Sequence, residues 1–190
     1  GIPALLRIER GRVRNREVFG PMRLQYGFFK LTARRASYLI ARAADAGPQG
    51  PVMGAIGFIR DDVEMSVRVF ELIAETDHAI WFLFDALLER AGRDWGTEYV
   101  EVDVSAHAPR MQRTLLEHGF LPVAYVPAMV FHEVERFDVV RMARVLVEPR
   151  FDNVRLTTEA KVPASIVMRS LSRQHVLPQV AAAVNRLALF

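Results

Sequence analysis

The sequence predicts an α/β (α+β) domain, a mixed and mostly antiparallel sheet flanked by helices, followed by a C-terminal helical extension. Three observations lead there. Between residues 38 and 74 three strand-like segments follow one another with turn residues between them. From residue 77 to residue 146 two segments with helical spacing alternate with strand segments. Beyond Glu148 the pattern changes to two helical stretches divided by Pro178. A chain of 190 residues holds one sizeable domain with an appendage.

The elements can be justified in order. Residues 1–36 read as an N-terminal segment joining the core, with an exposed strand over 5–18, a break at Gly20-Pro21 and an apolar run over 26–31. Within it Arg10, Arg12, Arg14 and Arg16 recur at every second position, which in an extended chain puts them on one face. Such a row suits phosphates or a solvated terminus. No aromatic residues interleave with it as a nucleic-acid groove requires, so no nucleic-acid partner is expected. Residues 38–41 and 52–59 form a hairpin around the turn at 47–51, and residues 66–74 give a third antiparallel strand after Asp61-Asp62.

Thr76 and Asp77 then cap a helix over 79–91, with Ile80, Phe84, Leu87, Leu88 and Ala91 on one stripe and Gly92 as its terminating glycine. In residues 99–104, Val100, Val102 and Val104 alternate with Glu101 and Asp103, as in a strand with one buried face. Pro109 opens a short helix with Met111, Leu115 and Leu116 inward and Gly119 at its end. Strands over 123–132 and 137–146 complete the order β-β-β-α-β-α-β-β, and helices over 164–174 and 178–189 make the extension.

Composition narrows the functional classes. Apolar residues make up 51% of the chain and charged residues 25%, the balance of a packed domain and not of a disordered tail. No apolar run reaches the ~18–20 residues of a membrane span, so a cytoplasmic protein with no membrane partner is expected. Cysteine is absent, which excludes disulfides, thiolate zinc sites and cysteine nucleophiles. Hydrolase, nucleotide-hydrolase and zinc-protease motifs are missing, and the five histidines have no ligand-like spacing.

The derived order, with the words Gly54-Ala55-Ile56-Gly57-Phe58, Leu87-Leu88-Glu89-Arg90-Ala91 and Glu117-His118-Gly119-Phe120 in sequence, resembles the GNAT superfamily of N-acetyltransferases over somewhat more than half of the chain. The resemblance implies an acyl-CoA N-acyltransferase domain over residues 37–147. Its donor, acetyl-CoA or another acyl-CoA, would lie between the strands at 66–74 and 99–104. Backbone groups of Leu72, Ile73 and Ala74, and the helix start at His78 and Ala79, would hold it. The acceptor would be a small-molecule or protein amine.

Two departures go with this resemblance. Relatives place Arg or Gln and two small residues in the pyrophosphate loop, where this chain has Glu75, His78 and Ile80. At the position of the tyrosine that protonates the departing thiolate stands Leu115, which carries no proton. Glu71 occupies the place of a base or its water relay, and equally suits a solvent-facing strand position. Tyr125 is the nearest substitute acid, or a packing tyrosine, and His107 is a third candidate on the loop after residue 104. Two readings therefore stand side by side: an acyl-CoA-dependent N-acyltransferase, and a non-catalytic GNAT-fold sensing or interaction module. The apolar ending Leu187-Ala188-Leu189-Phe190 suggests that residues 148–190 are a connector leading to further domains of the same chain.

Overall fold

The computed structural model describes residues 34–43, 50–149 and 154–174. Within them six strands and three helices occur in the order β1 (Arg34–Arg42), β2 (Val52–Asp61), β3 (Ser66–Ala74), α1 (Asp77–Arg93), β4 (Tyr99–Ser105), α2 (Pro109–Glu117), β5 (Leu121–His132), β6 (Glu135–Val145) and α3 (Thr158–Gln174). The strands form one sheet in the order β1-β2-β3-β4-β6-β5. Only β3 and β4 run parallel, because α1 carries the chain back between them. Every other neighbouring pair is antiparallel. The expected element order and mixed, mostly antiparallel sheet are therefore present.

One face of this sheet makes the core. Ile56, Phe58, Val67, Val69, Val100 and Val102 alternate inward along β2, β3 and β4 and meet Leu83, Phe84 and Leu87 of α1. Burial of this stripe drives α1 onto the sheet, since each fully buried aliphatic or aromatic side chain contributes about 1.5–3 kcal/mol. Thr76 caps the helix, its Oγ1 accepting from the N–H of Ala79 at 3.2 Å.

The C-terminal end of α1 differs from the sequence expectation. Gly92 is not its terminating glycine: the helix runs through it to Arg93, the cap is Asp94, and the positive-φ glycine in this stretch is Gly96. Asp94 and Trp95 both donate their N–H to the carbonyl of Arg90, so the last turn closes without Gly92. At α2 the glycine expectation holds. Gly119 (φ +76°) and Phe120 donate to the carbonyls of Leu116 and Leu115, the paired bonds of a left-handed helix ending. Leu115 is buried as expected, whereas Leu116 faces solvent because the nine-residue helix offers the core a narrow stripe.

The extension begins earlier than its periodicity suggested. α3 starts at Thr158, where the side chain of Thr157 accepts from the N–H of Ala160, and continues through Pro163. Its Leu171 and Val167 pack on Leu121 and Val145 in a second, smaller apolar cluster. The arginine row at 10–16 and the helix expected at 178–189 lie outside the described residues. No helix among the described residues is long and apolar enough to cross a membrane.

His118 links the helices to the sheet and makes stability sensitive to acid. It is 6% exposed, lies against the rings of Trp81 and Phe84, and leaves its buried Nε2 without a partner among the described residues. Burial holds its pKa below the ordinary value of 6.5, with Asp85 and Glu117 opposing and Arg144 reinforcing the effect. A base whose folded pKa is depressed binds fewer protons folded than unfolded. Its stabilising contribution is whole above about pH 6.5 and is lost as pH falls through the folded value. Denaturant midpoints measured from pH 8 to pH 5 should decline below that point, and His118→Phe should flatten the decline.

Candidate active site

The site arises from one irregularity in a regular strand. β3 pairs with β4 only from Ser66–Tyr99 to Val69–Val102, and β3 bulges against β2 between Gly57 and Phe58, which leaves Phe70 as the extra residue. Beyond the bulge β3 continues along β2 but leaves β4, so the two parallel strands part toward their carboxyl ends. Beyond Val69 and Val102 the two strands no longer pair with each other, which opens a gap between them. The resulting cleft has a volume of about 730 Å³, and its walls include Phe70, Glu71, Leu72, Val104, Met111 and Val130.

Glu71 stands on this wall. Its Oε2 accepts from the Tyr38 hydroxyl of β1 at 2.6 Å, and this bond pushes the Tyr38 pKa above its ordinary value. Asp103 on the opposite strand is held differently. Arg141 donates to both of its oxygens at 2.7 and 2.9 Å and Arg68 adds a third bond at 2.9 Å, which keeps the carboxyl below the usual carboxylate range. Arg68 and Arg141 also engage Glu101, and burial pushes the neighbouring Tyr99 up to about 12. Asp103 is therefore a neutralised strut between β3, β4 and β6.

At the carboxyl ends of the two strands, α1 and α2 begin side by side and an ion pair joins Asp77 to Arg110. Of the groups expected to hold a donor, Leu72 packs toward the core, Ile73 is exposed, Ala74 ends β3 and His78 is exposed on the first turn of α1. The N–H of Ala79 is already committed to Thr76. An acyl-CoA would fit this site in one half only. The parted strands suit an extended thioester arm, whereas the helix start presents the carboxylate of Asp77, with Glu75 beside it, to a pyrophosphate.

Tyr125 and His107 come together around a residue that the sequence did not single out. Asp138 of β6 accepts from the Tyr125 hydroxyl and, at 2.8 Å, from the N–H of Ala128. His107, exposed on the loop after β4, lies edge-on to Phe137 and its charge lowers the Asp138 pKa further. The bond to Asp138 raises the Tyr125 pKa, so its hydroxyl stays protonated. Neither Tyr125 nor His107 lines the cleft beside Glu71, although Ser105 and Ala108, which flank His107, do. Leu115 is fully buried in the core. Tyr38, Asp138 and Arg110 were not legible as site residues, because each acts through a partner at least 13 positions away. No group of metal-ligating side chains occurs among the described residues.

No family model matches the chain, and no curated protein matches it. Solved structures do. Mutant forms of the spermidine/spermine N-acetyltransferase SpeG from Vibrio cholerae superpose with a TM-score of 0.52 at 18% identity, over 60% of this chain and 68% of theirs. The manganese complex of the same enzyme gives 0.53 at 17% identity, over 60% and 66%. The dodecameric spermidine N-acetyltransferase from that organism gives 0.52 at 17%, again over 60% and 66%. At this identity the likeness concerns the fold: the chain has the architecture of the GNAT acyl-CoA N-acyltransferases.

Proposed function

We propose that the chain is a GNAT-type N-acyltransferase that takes an acyl group from an acyl-CoA and gives it to an amine. The observation that carries this reading is the parting of β3 and β4 at the Phe70 bulge, which opens a cleft with the Glu71 carboxylate on its wall. When bound, the donor would supply the acyl group as a thioester. The chain's own residues do the rest. Glu71 accepts a proton from the acceptor ammonium, directly or through a water, and leaves the neutral amine as the attacking group. Tyr125, kept protonated by Asp138, is the candidate acid for the departing sulfur, with His107, which also acts on Asp138, as the alternative; both lie outside the lining of the cleft, so the thioester end of the donor would have to extend to them.

A non-catalytic sensing or interaction module on the same fold is the second reading. It is favoured by the acidic helix start and by the burial of Leu115 where relatives carry a tyrosine. In either case residues 37–147 would be the GNAT-like unit and residues 148–190 a helical extension or connector to further domains.

Titration calorimetry with coenzyme A and acetyl-CoA separates the readings. The wild-type chain should bind more weakly than micromolar, the equivalent of about −8 kcal/mol. Asp77→Asn removes the carboxylate at the helix start and releases Arg110 to a phosphate, so binding should tighten by about fivefold at low salt. A donor that leaves both proteins without heat, and without turnover on a panel of amines, would favour the non-catalytic module.

A further inference from the structure

We infer that the outer half of the β5–β6 hairpin, residues 127–137, is a hinged flap on the cleft, and that Asp138 latches it through the backbone of Ala128. Val130 of this flap forms part of the cleft wall. The device sets the width of the cleft whatever occupies it, so it stands apart from the acyltransferase reading.

The first argument is where the main sheet ends. β4 pairs with β6 from Tyr99–Val145 to Ser105–Val139, and the N–H of Ala106 donates to the carbonyl of Asp138 at 2.9 Å. Asp138 is thus the outermost residue of β6 whose backbone the main sheet holds. Beyond it, among the described residues, the two strands pair only with each other, from Val130–Phe137 to His132–Glu135. A two-stranded ribbon is marginally stable in water by itself. Its apolar side chains add little hold, since Phe131 is 63% and Val134 88% exposed. Its outer contacts include Val130 on the cleft wall and the ring of Phe137, edge-on to His107. A segment held this lightly can open while the core stays closed.

The second argument is the hinge. Pro127, Ala128 and Met129 stand opposite Asp138 alone, because the register steps from Val126–Val139 to Val130–Phe137. Ala128, at the centre of this bulge, has a φ of +52°, a left-handed backbone that a residue with a Cβ rarely keeps unless its surroundings hold it there. Two side chains of β6 do so. Asp138 Oδ1 accepts from the Ala128 N–H at 2.8 Å, and Arg136 Nη1 donates to the Ala128 carbonyl at 3.1 Å. Arg136 also lies over the ring of Phe131, 5.7 Å from its centroid, and so travels with the flap. Asp138 does not. Its carbonyl is tied to Ala106, and its Oδ2 accepts from the hydroxyl of Tyr125, which pairs with Val140 on the sheet side of the bulge. The carboxylate is therefore the fixed half of the latch, and the Ala128 N–H is the moving half.

The test is amide hydrogen exchange followed by NMR on the full chain, without any acyl donor, together with the methyl signals of Val130. Asp138→Ala should speed exchange over residues 128–137 by about tenfold or more, as for loss of a charged hydrogen-bond acceptor, and leave residues 100–104 of β4 unaltered. Asp138→Asn keeps an acceptor for the Ala128 N–H and should stay within about threefold of wild type. Ala128→Gly, added to Asp138→Ala, removes the steric cost of the left-handed backbone and should recover about fivefold of the lost protection. The Val130 methyl signals should shift in Asp138→Ala, because the cleft wall moves with the flap. The proposal is overturned if Asp138→Ala leaves exchange over 128–137 unaltered, or if Asp138→Asn exchanges as fast as Asp138→Ala. It is equally overturned if the faster exchange spreads through 100–104 or the variant fails to fold, since Asp138 would then support the frame and not a flap. Unmoved Val130 methyl signals, or no recovery on Ala128→Gly, would also sink it: the hairpin would open without reaching the cleft, or strain at Ala128 would not be what the latch restrains.

Discussion

Glu71→Gln is expected to lower acyl transfer by about 10²–10⁴-fold, the range over which a positioned acid or base acts. The glutamine keeps the shape and can still accept from the Tyr38 hydroxyl, so the cleft wall is preserved while the proton acceptor is removed. Coenzyme A affinity should not change, because under the proposed function the pyrophosphate would lie near Asp77 and Arg110, on the two helix starts and away from Glu71. Tyr125→Phe should cost less if His107 can substitute for it through their common neighbour Asp138, and His107→Ala in that background should then remove the remainder. Single-turnover rates with acetyl-CoA and a simple alkylamine measure this. Full turnover in both Glu71→Gln and Tyr125→Phe would show that the chemistry is carried by other groups.

Much of the frame was legible because its signals are local. The strict alternation at 99–104 and the capping threonine before residue 77 belong to single segments, and β4 and α1 appear where those signals put them. The words that suggested the fold are local too, and Gly119 ends α2 through bonds that its own neighbours supply. Gly92 misled because one glycine inside a helix costs only about 1 kcal/mol, which the buried face of α1 outweighs.

The site was far less legible, since it depends on register. Whether Tyr38 reaches Glu71 is decided by its pairing with Gly57 and by a one-residue bulge, and neither leaves a mark in the alternation of β3. Asp138 reads as an ordinary strand carboxylate until β5 bulges between Val126 and Val130 and Ala128 takes a positive φ, turning its N–H to that carboxylate. The same bulge precedes Val130 on the cleft wall. The acidic start of α1, in contrast, was visible as residue identities. What the sequence could not supply was Arg110, which meets Asp77 only because two helices begin at adjacent strand ends.

The largest stability effect is expected from Phe84→Ala, at about 3–5 kcal/mol of lost stability. Phe84 is fully buried on the core face of α1, packed edge to face against Phe120 and beside His118. Truncation removes the transfer energy of the ring and leaves a cavity that the rigid sheet below cannot close. Phe82 lies on the same helix but is 54% exposed, so Phe82→Ala should cost no more than about 0.5–1 kcal/mol and serves as the control for helix propensity. Denaturant unfolding at pH 8 compares the two. The pH dependence adds an independent signature, because the lost ring is part of what keeps water from His118. If water enters the cavity, the folded pKa of His118 returns toward 6.5 and the acid-linked loss of stability shrinks. Phe84→Ala should therefore be less stable than wild type at pH 8 and show a shallower decline below pH 6.5. A large destabilisation with an unaltered decline would mean that the cavity stays dry and that His118 is shielded by Trp81 alone.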